Sequence, residues 1–232
     1  MRMISDPGAL HLVLSGNPAL YRIVALSLVV TLCATAAAAL IGMPLGAALA
    51  LLRFPGRQGL IVFVNAMMGL PPVVVGLCVF LLLSRSGPLG ALGLLFTPQA
   101  MIVAQSILIA PILAAPTRQV VEDLWAEYRD ELTALGIGPV GRIATLLWDA
   151  RFGLVTILLA GFGRASAEVG AVMIVGGNIE GFTRVMTTAI ALETSKGDLP
   201  LAIGLGLVLM TIVLGVNVLA WGVRRLGEQR AG

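Results

Sequence analysis

The sequence predicts an all-α fold, an integral membrane bundle of about five transmembrane helices. Three observations predict it. Apolar residues fill 58% of the 232 positions and charged residues only 12%, where soluble domains carry about 25% charged residues. Mean hydropathy is +1.00. Four apolar runs, and a fifth that tolerates a charged pair, approach or exceed the roughly 20 residues a helix needs to cross about 30 Å of hydrocarbon.

The first run, 23–52, exceeds one perpendicular span, so it is expected to tilt, project beyond the bilayer or bend near Gly42, Met43 and Pro44. Its Gly42 and Gly46, with the small residues of 34–39, offer a face on which another helix backbone can pack closely. The second, 60–83, contains Pro71-Pro72, tolerable in a span when neighbours satisfy the freed carbonyls. The third, 99–116, carries Pro111; the fourth, 152–175, carries Arg164 and Glu168; the fifth, 200–223, is the cleanest. The stretch 184–192 is apolar but too short to span, and is expected as a surface or re-entrant helix.

The polar residues exclude several functions. The net charge of +3 rests on arginines scattered near helix ends, without the clustered basic face of a nucleic-acid binder. Cys33 and Cys78 lie in apolar runs away from metal-ligand spacings and read as membrane thiols. Residues 1–18 lack a cleavable leader pattern, and His11 reads as an exposed N-terminal residue. The lone lysine, in Ser195-Lys196-Gly197, rules out a phosphate-binding loop, and no nucleophile–base pair stands out.

Arginine placement favours one orientation, with the flipped topology as the alternative. With the N-terminus outside, Arg53, Arg57, Arg118, Arg129, Arg142, Arg151, Arg224, Arg225 and Arg230 face the cytoplasm, nine against the five of Arg2, Arg22, Arg85, Arg184 and Lys196. Trp125, Trp148 and Trp221 then fall near the cytoplasmic interface, and residues 178–199 form the largest exposed outer loop.

Between the third and fourth spans, residues 118–151 are the most polar part of the chain. Val121, Leu124, Trp125, Tyr128, Leu132 and Leu135 recur at helical spacing opposite Glu122, Asp123, Glu127, Arg129, Asp130 and Glu131. Gly136, Gly138 and Pro139 end that helix. A second amphipathic segment follows with Val140, Ile143, Ala144, Leu147 and Trp148. From the residues alone, this is either a solvated helix lying on the bilayer or a docking element.

The run Glu131-Leu132-Thr133-Ala134-Leu135-Gly136-Ile137-Gly138 resembles the cytoplasmic coupling loop of ABC importer permeases. It keeps Leu135-Gly136, while Glu131 and Leu132 replace the motif's alanines and Trp148-Asp149 its usual downstream Leu-Pro. Further on, the chain resembles molybdate and tungstate permeases, and most closely the tungstate branch. The residues that carry this are Gly163-Arg164-Ala165-Ser166-Ala167-Glu168-Val169-Gly170-Ala171, Val175-Gly176-Gly177-Asn178-Ile179, and Thr187-Thr188-Ala189-Ile190-Ala191-Leu192-Glu193-Thr194. Pro71-Pro72-Val73-Val74-Val75-Gly76 belongs to the same likeness, which covers nearly the whole chain.

The resemblance implies a type I, MetI-like importer core over residues 1–232, with a coupling loop at about 118–151 and no cofactor of its own. It implies a homodimer in the cytoplasmic membrane of a bacterium or archaeon, N-terminus outside and C-terminus inside, working with an ABC ATPase subunit and an external oxyanion-binding protein. Membrane lipid is a further partner, and nucleic acid is not. Arg129, Asp130, Glu131, Leu132, Ala134, Leu135, Gly136 and Gly138 would couple to the ATPase. Five helices are few to enclose a path for a hydrated dianion, and a dimer with the path along its axis is the simplest remedy.

Arg164 and Glu168, four apart, would share one face of a membrane helix. A charge at mid-bilayer costs about 2.5–3.5 kcal/mol on insertion scales, so such groups face a cavity or each other. With Ser166 they are candidates for the translocation path or its gate; a static buried pair is the alternative. A permease for molybdate or another oxyanion is the alternative substrate reading. An ion-coupled carrier is the alternative from another class, though it would normally show a repeat and several intramembrane carboxylates.

Overall fold

The computed structural model describes residues 18–231, and among them the regular elements are all helical. In chain order they are α1 (Pro18–Leu51), α2 (Arg57–Met67), α3 (Pro72–Leu83), a 3₁₀ turn (Gly90–Leu92), α4 (Pro98–Ala134), α5 (Pro139–Asp149), α6 (Arg151–Ser166), α7 (Gly170–Gly176), α8 (Met186–Lys196) and α9 (Leu199–Ala231). Arg2, His11 and the leader reading lie outside the described residues, as do the side chains of Arg224 and Arg230.

Among the described residues, helices α1, α4 and α9 are each long and apolar enough to span a membrane, and the interrupted pairs α2–α3 and α5–α6 bring the count to five when each is taken as one span. The chain is a multi-pass membrane protein. Helix α1 continues through Pro44.

Three expected spans are built differently. The second is interrupted, because Pro71 adopts an extended backbone (φ −62°, ψ 125°) as N-cap and Pro72 opens α3. A proline forces its predecessor out of the helical region and has no N–H to donate, so the pair ends one helix and starts another. The third span and the amphipathic loop helix are one element, since α4 runs unbroken through Pro111 and Pro116 for 37 residues. The fourth span ends at Ser166 and the helix resumes only at Gly170, leaving Glu168 in the break. Arg164 and Glu168 therefore do not share a continuous helical face. At the other end of α6, the axis turns by 76° from α5.

The described residues form two compact units, each contributed by three stretches of chain. The first takes residues from Met1–Cys33, Pro71–Gln105 and Ala165–Gly215. Leu20, Met186, Ala189 and Leu205 form one of its cores, so α8 packs inward. This corrects the expectation of an exposed loop over 178–199: Met186, Thr187, Thr188, Ala189 and Glu193 are buried. Helix α3 meets α7 where Gly76 faces Ala171; a Cβ at Gly76 would stand 2.7 Å from the Ala171 Cα.

The second unit takes residues from Ala34–Leu70, Ser106–Arg164 and Val216–Gly232. Here Gly42 and Gly46 press on Ala110 and Ala114 of α4, and a Cβ on Gly42 would lie 2.5 Å from the Ala110 carbonyl oxygen. The small-residue face thus serves a contact inside the chain. Ala47, Val121, Leu132 and Leu146 form a core beneath the α4–α5 connection.

Candidate functional site

The α4–α5 connection is a helix–turn–helix whose turn geometry follows from its glycines. Gly136 has φ +66°. Its N–H donates to the Thr133 carbonyl at 3.0 Å, and the Ile137 N–H donates to the Leu132 carbonyl at 3.2 Å. These are the two bonds of a Schellman cap, completed by packing of Ile137 and Leu132 in the same core. Gly138 is extended (φ −70°, ψ 168°) and leads into Pro139 at the first helical position.

Of the expected coupling residues, Arg129, Asp130, Glu131, Ala134, Leu135, Gly136 and Gly138 are exposed. Leu132 is 6% exposed, so it supports the turn from beneath and offers no docking surface. Val121, Leu124, Trp125 and Tyr128 pack inward as the spacing predicted, but Leu135 is 73% exposed. On α5, Ile143 and Leu147 pack on the core while Val140 and Trp148 stand 81% and 73% exposed, and Leu146 takes the buried place. Three large apolar side chains are thus left on the surface of the most polar segment. Around the same turn, Glu127, then Asp149, a little burial and Glu131 raise the Tyr128 phenol above its ordinary pKa of 10.0.

In the sequence Arg57 and Arg118 read only as topology charges, but both bind Glu122. Arg57 Nε donates to the Leu49 carbonyl at 2.7 Å, and its Nη2 donates to Glu122 Oε1 at 2.7 Å and the Ala50 carbonyl at 3.4 Å. Arg118 Nη1 binds the other Glu122 oxygen. One guanidinium thereby closes the C-terminal end of α1, where carbonyls lack helical donors, and ties it to α4. The i, i+4 spacing of Arg118 and Glu122 was a readable signal. Arg57 is 65 residues from Glu122, and nothing local pointed to it.

In the first unit, Ser27, Thr31, Gln105, Ser166, Glu168 and Thr187 line a buried polar niche. Ser27 Oγ accepts the Met186 N–H at 2.7 Å, Thr187 Oγ1 donates to the Glu168 carbonyl at 2.8 Å, and Gln105 Nε2 donates to the Ala165 carbonyl at 3.2 Å. Glu168 Oε1 accepts the Ala171 N–H at 3.1 Å, which fixes its side chain against the first turn of α7. The Thr187 and Gln105 bonds tie α8 and α4 to the chain at the break between α6 and α7, and the Ser27 bond ties α1 to the start of α8. Glu168 is 4% exposed and Ser166 9%, whereas Arg164 in the last turn of α6 is exposed.

The two units also divide the charges. Arg53, Arg57, Arg118, Arg129, Arg142, Arg151 and Arg225 all fall in the second, and Arg22, Arg85, Arg184 and Lys196 in the first. In the second unit each tryptophan carries an arginine over its ring: Arg142 on Trp125 at 5.1 Å, Arg151 on Trp148 at 5.3 Å and Arg225 on Trp221 at 5.2 Å. Cys33 and Cys78 are free thiols. Among the described residues no group of three or more His, Cys, Asp or Glu side chains is placed to hold a metal.

No family model matches the chain. It is similar along most of its length to three curated proteins. The first, named "Probable anion ABC transporter permease protein", of Haloferax volcanii, is 44% identical over 205 residues, covering 86% of this chain and 88% of that one. The second, the tungstate uptake system permease protein TupB of Peptoclostridium acidaminophilum, is 40% identical over 216 residues, covering 93% and 95%. The third, the TupB protein of Campylobacter jejuni, is 37% identical over 173 residues, covering 75% and 72%.

Proposed function

This chain belongs to the family of ABC transporter permeases that includes the tungstate uptake permeases, and from that premise we propose that it forms, as a homodimer, the membrane path of an ATP-driven tungstate importer. An external binding protein delivers the oxyanion, and a separate ATPase subunit supplies the nucleotide site that this chain's sequence does not contain.

The observation that carries the reading is the exposed apolar trio Leu135, Val140 and Trp148 on an otherwise charged helix–turn–helix. Large apolar groups exposed together on a polar element mark a protein contact. Arg129, Asp130, Glu131, Ala134, Gly136 and Gly138 surround that contact, and buried Leu132 sets its shape. ATP-driven movement of the partner displaces the α4–α5 turn, and the Arg57–Glu122–Arg118 cluster carries the displacement to the end of α1. Arg164, Ser166 and Glu168 act at the gate, because the helix break beside them is a natural point of rearrangement.

The division of charges supports an orientation with the second unit's arginines in the cytoplasm, the N-terminus outside and the C-terminus inside. The three arginine-capped indoles agree, since tryptophan favours the membrane interface.

Co-purification with the ATPase subunit tests the docking. Leu135→Asp and Trp148→Asp should each abolish it while the permease stays monodisperse. ATPase retention by both variants would refute the assigned surface.

A further inference from the structure

Resting on the reading above, we propose that a hollow in the first unit, lined by Arg22, Ile23, Leu26, Glu180, Gly181, Phe182 and Arg184, binds a tetrahedral oxyanion head group at the outer face. The hollow has a volume of about 350 Å³. Ile23, Leu26 and Phe182 give it apolar walls, which strengthen any charge interaction made inside.

Its polar groups are unevenly matched. Arg22 has no carboxylate partner among the described residues. Arg184 is held loosely, with Nη1 3.6 Å from Glu180 Oε2 and 3.9 Å from Glu193 Oε1. Among the described residues the buried Arg184 Nε meets no acceptor. Glu193 has a closer partner in Lys196 at 3.0 Å, so it stays committed if Arg184 turns away. Glu180 is the weakly held one, with a side chain 84% exposed at the rim. A pair at this distance with one partner at the solvent-facing rim contributes little, and that partner exchanges readily with solvent.

Two guanidiniums and one displaceable carboxylate make an anion site whose resident ligand is Glu180. An oxyanion entering between Arg22 and Arg184 replaces the Glu180 carboxylate at Arg184 Nη1. Guanidinium forks match the oxygens of tetrahedral anions in this way. Glu180 swings outward as the anion enters, and returns when it leaves. The oxyanion is either free tungstate arriving from outside or the phosphate of an anionic lipid, which presents the same chemistry.

The test uses the full chain in phosphatidylcholine nanodiscs, with tungstate binding measured by equilibrium dialysis and phosphatidylglycerol retention by native mass spectrometry. Arg22→Gln should weaken binding of the oxyanion about tenfold, and Glu180→Gln should strengthen it about threefold. The gain in Glu180→Gln cannot come from misfolding. Loss of tungstate in Arg22→Gln identifies the free ion as ligand, and loss of phosphatidylglycerol alone identifies the lipid. If the wild type binds neither, or both variants match it, the site is refuted. Tungstate uptake by the wild-type transporter is scored separately, so an importer with unaltered variants overturns this site alone.

Discussion

Arg57 Nη2 stands 2.7 Å from Glu122 Oε1, and the same arginine holds the Leu49 carbonyl at the end of α1 through Nε. Arg118 takes the second oxygen of that carboxylate, with the three side chains between a fifth and a third exposed. A partly shielded carboxylate shared by two guanidiniums is worth more than a surface ion pair and leaves costly unpaired groups when broken. It lies on the stretch of α4 that leads to the exposed turn, the place the proposed coupling route requires.

Arg57→Ala should therefore cost about 2 kcal/mol, since it strands two carbonyls and half of the Glu122 pairing. Arg57→Lys should recover only part, because an ammonium lacks the planar fork that reaches all three acceptors. Thermal unfolding of the double mutant with Glu122→Gln checks the coupling. Additive losses would mean that the two residues do not act together.

At the turn, Gly136→Ala should destabilise by about 1–2 kcal/mol and weaken ATPase binding, while Gly138→Ala should leave stability unchanged. A Cβ at either position meets nothing within 4 Å, so the difference is one of backbone conformation alone. Only Gly136, at φ +66°, needs the left-handed region. Equal behaviour of the two variants in an unfolding assay would contradict the Schellman assignment.

Where α1 crosses α4, Gly42→Ala and Gly46→Ala should each cost about 1–3 kcal/mol, as overpacking against a backbone carbonyl cannot be relieved by a rotamer change. Gly59→Ala, with no neighbour within 4 Å, is the matched control and should be silent. Folded yield after detergent extraction distinguishes them. Normal yields for all three would show that the helices do not pack as closely as described.

Tyr128 gives a pH signature. Its neighbouring carboxylates, Glu127 first, oppose the phenolate and raise its pKa. A raised folded-state pKa means that stability is intact below the unfolded value near 10 and declines as pH climbs through the folded one. In a Tyr21→Phe background, ultraviolet titration should place the Tyr128 transition above pH 10, and Glu127→Gln should move it down. An unchanged transition in Glu127→Gln would remove Glu127 as the main cause.

Much of the bundle is legible because span length is a strong physical constraint: the apolar runs fix the end of α1 and the start of α9, while α1 begins five residues before its run and α9 extends eight beyond. The interruptions were harder. Pro71-Pro72 broke its run, yet Pro111 and Pro116 did not break α4, since neighbouring helices decide whether the lost backbone bond is tolerated. The inward stripe of Val121, Leu124, Trp125 and Tyr128 followed from helical spacing. Leu135 departed from it because the cap at Gly136 ends the helix and turns that side chain outward. Glu168 was assigned to a helix because apolar periodicity does not register a three-residue break. The Arg57–Glu122 link depends on segments brought together only by the tertiary fold.

The most direct measurement is tungstate uptake into proteoliposomes holding this chain with its ATPase subunit, the binding protein being added outside. Uptake should require all three components and internal ATP, and should vanish in Leu135→Asp. Uptake by this chain alone, driven by an ion gradient without ATP, would contradict the account.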